Sequence, residues 1–116
     1  MTHNGSYWFD SLEAPYAQAA PTPLPAAVDV AIIGGGYTGL WTAHYLNDLN
    51  PSLKIAVLEA ETFGFGASGR NGGWCMGTAH GVEGLLSRPE SRGAGLTLAR
   101  AMQATVDEIG QVTQSL

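Results

Sequence analysis

Gly34, Gly36 and Gly39 form a Gly-x-Gly-x-x-Gly pattern, and Glu59 follows 20 residues after the last of them. Those residue types at that spacing suit a dinucleotide. A first glycine permits a tight turn, a second lets the backbone approach a pyrophosphate, and a third lets a helix lie close on a strand. The N–H groups at the start of that helix, with about half a positive charge, face the diphosphate. A carboxylate at the end of the second strand accepts hydrogen bonds from a ribose diol and repels a 2′-phosphate, which disfavours NADP. A glycine-rich hexamer alone is a weak signal, and a tight turn with an ordinary surface glutamate would share these residues. Here a strand before the glycines, a helix after them, small Ala43 and the spacing of Glu59 all agree.

A second constellation runs from Gly64 to Gly73, Gly-Phe-Gly-Ala-Ser-Gly-Arg-Asn-Gly-Gly. Glycine-rich backbone presents successive N–H groups as a concavity for anions. Ser68 adds a hydroxyl, and Arg70 adds a planar cation suited to phosphate. Standing alone this would read as a flexible surface loop. Following a nucleotide-binding unit, it reads as a second phosphate contact.

The elements that must position these groups are legible nearby. Val28 to Ile33 is a short β-branched run that stops at glycines, as a buried strand does. A helix is expected from Leu40 to about Leu49, with Gly39, Ala43 and Leu46 on one face and Asn50-Pro51 ending it. Lys54 to Leu58 is a second strand, and the three elements make a βαβ unit. No third strand is expected, because residues 60–84 hold eight glycines and few β-branched residues. From about Pro89 a helix is expected, with Leu98, Met102, Thr105, Ile109, Val112 and Leu116 as its buried stripe. Ahead of these elements lies an Ala- and Pro-rich extension, residues 1–27, whose aromatic patch Tyr7-Trp8-Phe9 is read as an anchor onto the rest of the chain. The fold class is α/β, an incomplete Rossmann-type dinucleotide-binding domain spanning residues 28–116.

Bulk composition narrows the function classes. The chain has 116 residues, 45% hydrophobic and 13% charged, with a net charge of −5. Disorder would need fewer apolar and more charged residues. The five basic residues are scattered, whereas a nucleic-acid binder carries a basic patch. No signal-peptide pattern and no apolar run of membrane-spanning length is present, so no membrane association is expected and the cytoplasm is the default compartment. Cys75 is the only cysteine, which excludes an internal disulfide and a cysteine-based metal site.

The strings VDVAIIGGGYTG (28–39), VLEA (57–60) and GFGASGRNGG (64–73) resemble the FAD-dependent oxidoreductases of the D-amino-acid-oxidase type. The last string is the specific one. It looks most like the amine-oxidase branch that includes γ-glutamylputrescine oxidase, whose N-termini often carry a segment like Ser6-Tyr7-Trp8. The resemblance implies FAD as cofactor, a Rossmann-type FAD domain and a β-rich substrate domain. It implies oxidation of a C–N bond of a small-molecule amine or amino acid, with hydride passing to the flavin and electrons to oxygen, giving hydrogen peroxide. Gly34, Gly36, Gly39 and Glu59 carry over as contacts to the AMP half, with Thr38 in the same turn counted among the cofactor-binding residues. Ser68, Arg70 and Asn71 carry over as contacts near the pyrophosphate and flavin. The departure is length: family members run to several hundred residues, so the chain is expected to be a fragment without its substrate domain, unable to fold or catalyse alone. Two parallel strands cannot cover both faces of a sheet, which agrees.

Other residues carry less. Cys75 is read as a buried, unreactive thiol and His44 as a half-buried, hydrogen-bonded histidine on the first helix. His80 lies in the glycine-rich stretch, and no catalytic acid or base is assigned. Two rivals share part of the pattern: an NAD-dependent dehydrogenase, which has no need of residues 64–73, and a non-catalytic protein on a residual nucleotide fold.

Overall fold

The computed structural model describes residues 5–12 and 22–115. It divides into two compact units, residues 1–72 and 73–116.

In the first unit, β1 (Val30–Ile33) and β2 (Ile55–Leu58) pair in parallel, with Val30 opposite Ile55 and Ile33 opposite Leu58. Each strand is shorter than expected, β1 by two residues and β2 by Lys54, and the two starts are fastened to each other. Asp29 and Val30 both donate N–H to the Lys54 carbonyl, and the Lys54 N–H donates back to Asp29 Oδ2 at 2.8 Å. The crossover is α2 (Tyr37–Leu49), which starts three residues before the expected Leu40. Gly36 is its N-cap in extended backbone, and Asn50 closes it by donating N–H to the Leu46 carbonyl, one residue before Pro51. Gly39 is buried and Ala43 and Leu46 are half-buried, so the expected face is the one that packs.

The sheet alternates sides, as β geometry requires. Ile32 faces α2, its Cγ2 lying 3.3 Å from where a Cβ on Gly39 would stand. Ile33 faces the other way and is 81% exposed. On that second side an open groove of about 550 Å³ is lined by Leu24, Ile33, Leu58, Glu59 and Phe63, among others.

The described part of the N-terminal extension adds one helical turn, α1 (Tyr7–Asp10). Within the expected anchor, Phe9 is half-buried while Tyr7 and Trp8 are exposed. Residues 1–4 and 13–21 of the extension, and Leu116 of the expected C-terminal stripe, lie outside the described residues.

In the second unit, α3 (Val82–Leu86) was not expected from the sequence, and α4 (Arg92–Ser115) follows it. The α4 face that packs keeps Met102, Ile109 and Val112 of the expected stripe and departs from it at Leu98 and Thr105. Gly95 is buried, and Ala99, Met102, Val106 and Ile109 are half-buried, whereas Leu98 and Thr105 are exposed. The reason is the close approach of α3: a Cβ on Gly95 would stand 3.0 Å from the Leu85 Cβ, so the packed face is centred on Gly95 and repeats from there by four and three. Val82 is the one buried hydrophobic side chain among the described residues. Cys75, expected to be buried, is exposed, because it lies in an irregular stretch that no helix or strand covers.

Candidate nucleotide-binding site

The site is built where β1 turns into α2. Gly34 has φ +99°, a conformation that a side chain disfavours, and its N–H donates to the Leu58 carbonyl at 2.8 Å. The turn is therefore pinned to the end of β2. At Gly39 a methyl group would overlap the Gly34 carbonyl oxygen, so only glycine allows the helix to start this close to the strand.

The first hydrogen bond of the α2 ladder runs from the Leu40 N–H to the Gly36 carbonyl. The N–H groups of Tyr37, Thr38 and Gly39 precede that ladder and project from the helix start, as the first N–H groups of any helix do. Tyr37 N–H donates to Ser68 Oγ at 2.8 Å. This brings the two glycine-rich segments together. A Cβ on Gly36 would stand 2.9 Å from the same Ser68 oxygen, so the gap that Gly36 leaves is the one the hydroxyl enters. A second link ties the segments, the Gly64 N–H donating to the Gly35 carbonyl at 2.9 Å.

Glu59 sits at the end of β2 with both carboxylate oxygens engaged. Oε2 accepts the Gly35 N–H at 2.8 Å and Oε1 accepts the Glu61 N–H at 3.0 Å. These bonds, Gly35 first, hold its carboxyl below the usual carboxylate range, and burial opposes them only in part. A carboxylate offers about four acceptor positions, so two N–H bonds leave room for a diol.

The remaining predicted residues have identifiable places. Thr38 is exposed in the first turn of α2, its carbonyl accepting the Thr42 hydroxyl at 2.7 Å. The Arg70 guanidinium lies over the Phe65 ring, 4.7 Å from its centre. Asn71 Nδ2 donates to the Ser68 carbonyl at 2.8 Å and the Ala67 carbonyl at 3.3 Å, and approaches the Tyr37 hydroxyl at 3.4 Å. Its amide thus fastens the 3-10 turn Ala67–Gly69 that carries Ser68.

Two participants, Gly35 and Ser6, are not among the expected site residues. Gly35 is buried, and a methyl there would overlap the Phe63 ring, so the middle glycine of the run is as constrained as its neighbours. Three glycines in succession were the signal for it. Ser6, which holds the 64–73 loop together with Trp8 of the expected aromatic anchor, has no local signal.

The residues present fit the ADP half of a dinucleotide such as FAD on chemical grounds. Leading N–H groups at a helix start, a hydroxyl beside them and an ionised carboxylate at the strand end match a diphosphate and a ribose. No group of three or more His, Cys, Asp or Glu capable of holding a metal occurs among the described residues, and no helix there is long and apolar enough to cross a membrane.

Comparison with known proteins agrees with this geometry. The family model described as FAD dependent oxidoreductase matches residues 29–115. Gamma-glutamylputrescine oxidoreductase of Escherichia coli is 41% identical over 73 residues, covering 63% of this chain and 17% of that protein. A Haemophilus influenzae protein named "Probable oxidoreductase OrdL" is 39% identical over 82 residues, covering 70% of this chain and 18% of that protein. The mitochondrial L-2-hydroxyglutarate dehydrogenase of Dictyostelium discoideum is 58% identical over 33 residues, covering 28% of this chain and 7% of that protein. The chain thus spans less than a fifth of the length of these relatives. No solved structure matches it. A βαβ unit with its helix-start cradle and strand-end carboxylate, together with a family match over three quarters of the chain, places this protein in the family of FAD-dependent oxidoreductases of the DAO type.

Proposed function

We propose that residues 30–71 hold the ADP half of FAD in an oxidase that acts on a C–N bond of a small amine or amino acid. The observation that carries the reading is the bond from Tyr37 N–H to Ser68 Oγ, which brings the second glycine-rich segment to the helix start. An NAD-dependent dehydrogenase would leave residues 64–73 without a part in the site.

In this reading Glu59 accepts from the adenosine ribose while keeping its bonds to Gly35 and Glu61. The groove beside Glu59, Leu58 and Phe63 gives the adenine an apolar surface. The leading N–H groups of α2, those of Thr38 and Gly39 among them, face the diphosphate across the space that Gly34 leaves open. Ser68 has accepted a hydrogen bond and retains its own proton to donate to a phosphate oxygen. Arg70 and Asn71 border the same loop, Arg70 supplying positive charge and Asn71 holding the turn. Bound there, FAD supplies the hydride acceptor and the route of electrons to oxygen that gives hydrogen peroxide. The protein's own part in this segment is to bind and orient.

The amine preference rests on the likeness of the Gly64–Gly73 string and on the name of the Escherichia coli relative. The test is a peroxide-coupled assay on the full-length protein that carries this segment, with polyamines, secondary amines and amino acids offered in turn. Peroxide from an amine or amino acid is the expected result. Turnover of NADH, or of a 2-hydroxy acid with no peroxide from any amine, overturns the reading.

A further inference from the structure

We infer that the Ser6–Asp10 turn is a positioning element for the cofactor's diphosphate, acting through the loop that carries Ser68; the inference rests on the nucleotide site proposed above. Ser6 is 1% exposed, the most buried side chain described, and its hydroxyl donates to the Gly69 carbonyl. Trp8 Nε1–H donates to the Asn71 carbonyl at 2.9 Å. Both bonds join residues 63 apart in sequence. Between them, the Phe9 ring lies against the two glycines that close the loop. A Cβ would stand 3.1 Å from the ring at Gly69 and 3.9 Å from it at Gly64.

These three contacts fall on the stretch of the loop that most needs support. The 3-10 turn Ala67–Gly69 is closed by two long backbone bonds of 3.2 Å, Gly69 N–H to Gly66 and Arg70 N–H to Ala67. Such turns are weakly bonded by nature. Asn71 braces the turn from within, and the N-terminal segment braces it from outside by occupying the carbonyls on either side of Arg70. The N-terminal turn is itself a closed unit, with Asp10 N–H bonded to Ser6 and Ser11 N–H bonded to Tyr7. The line of contacts therefore runs from Ser6 and Trp8 to Gly69 and Asn71, through the turn to the Ser68 hydroxyl, and from there to the start of α2. A loop held this way before a ligand arrives loses less entropy on binding.

Ser6 and Trp8 touch no ligand in this account, and the diphosphate end alone depends on them. Glu59 and the groove, which serve the adenosine end, are tied to Gly35 and Phe63 instead. The test uses the full-length protein, freed of flavin, with Trp8→Phe and Ser6→Ala. Trp8→Phe keeps an aromatic ring, smaller than the indole, and removes the N–H donor. FAD, ADP and adenosine are titrated against each variant by calorimetry. Both variants should bind FAD and ADP about threefold to tenfold more weakly, the scale of one lost hydrogen bond, while adenosine affinity stays unchanged. Unchanged ADP affinity in Trp8→Phe overturns the inference. So does an equal loss for ADP and adenosine, which marks a structural contact only. A wild-type protein that binds neither FAD nor ADP defeats the nucleotide site itself, a result separable from either of these.

Discussion

Glu59 shows how one side chain serves the fold and the ligand together. Its two backbone bonds, to Gly35 and Glu61, lock the β1–α2 turn to the end of β2 and favour the ionised form. A carboxyl whose folded pKa is depressed stabilises the fold above its unfolded pKa, and that contribution is lost as pH falls through the lowered folded value. Protonation also removes an acceptor from the ribose. Cofactor affinity in the full-length protein should therefore be flat through neutral pH and fall only below the ordinary carboxylate range. Flavin release followed by fluorescence across an acid titration checks this. Glu59→Ala should weaken FAD binding roughly tenfold or more, since hydrogen bonds to a charged group are lost. The loss should appear as cofactor depletion on purification, with substrate preference unaltered. Full flavin retention in Glu59→Ala would show that the carboxylate serves the turn alone.

Among the elements, α2 and its approach to β1 decide whether the helix start is in place. The contact at Gly39 is with backbone, the Gly34 carbonyl, and the Ile32 side chain lies just beyond. A flexible side chain moves aside easily; a carbonyl in a turn pinned at both ends does not. Gly39→Ala should accordingly push α2 off the strand, costing ~1–3 kcal/mol as overpacking does. It should also carry the leading N–H groups away from the diphosphate. Chemical denaturation and FAD titration of the variant should both register the change. An alanine variant with wild-type stability and affinity would mean that the helix shifts without consequence. In the second unit Gly95 has the same part between α3 and α4, where the neighbours are the Leu85 and Leu86 side chains.

At the scale of the molecule the apolar surface is unevenly covered. One face of the two-stranded sheet has α2; the other leaves Ile33 81% exposed beside a groove, and Leu49 on α2 is equally exposed. Trp74 in the second unit is exposed to the same degree. Burial at about 25 cal/mol per Å² is the main term that offsets chain entropy, and Val82, the single buried apolar side chain among the described residues, supplies little of it. Residues 1–116 expressed alone should therefore melt without a cooperative transition and bind a hydrophobic dye such as ANS. They should hold FAD far more weakly than the full-length protein. Differential scanning calorimetry decides, and a sharp calorimetric peak with micromolar FAD binding by the isolated segment would refute the expectation.

What the sequence determined by itself was local. The βαβ unit, the strand-end position of Glu59 and the glycines at 34, 36 and 39 were legible because each is set within one turn or one strand. A turn with positive φ needs glycine, a strand favours a β-branched run, and a helix stops before proline, although the strand expected to be buried is only half-covered. The dinucleotide followed from those, and the flavin only from likeness. Tertiary structure alone decided where the second glycine-rich segment goes, since no periodicity in residues 64–73 says that Ser68 meets the Tyr37 N–H. It decided that Asn71 braces its own loop and that Arg70 lies over Phe65. It also moved the packed face of α4 from Leu98 and Thr105 to Ala99 and Val106. A helix with apolar residues on neighbouring stripes is turned by its closest partner, and here that partner meets it at Gly95. Most of all, tertiary structure joined Ser6 and Trp8 to Gly69 and Asn71. The aromatic patch marks that segment as an anchor, but which atoms it meets 63 residues away leaves no trace in local pattern, because the fold alone brings them together.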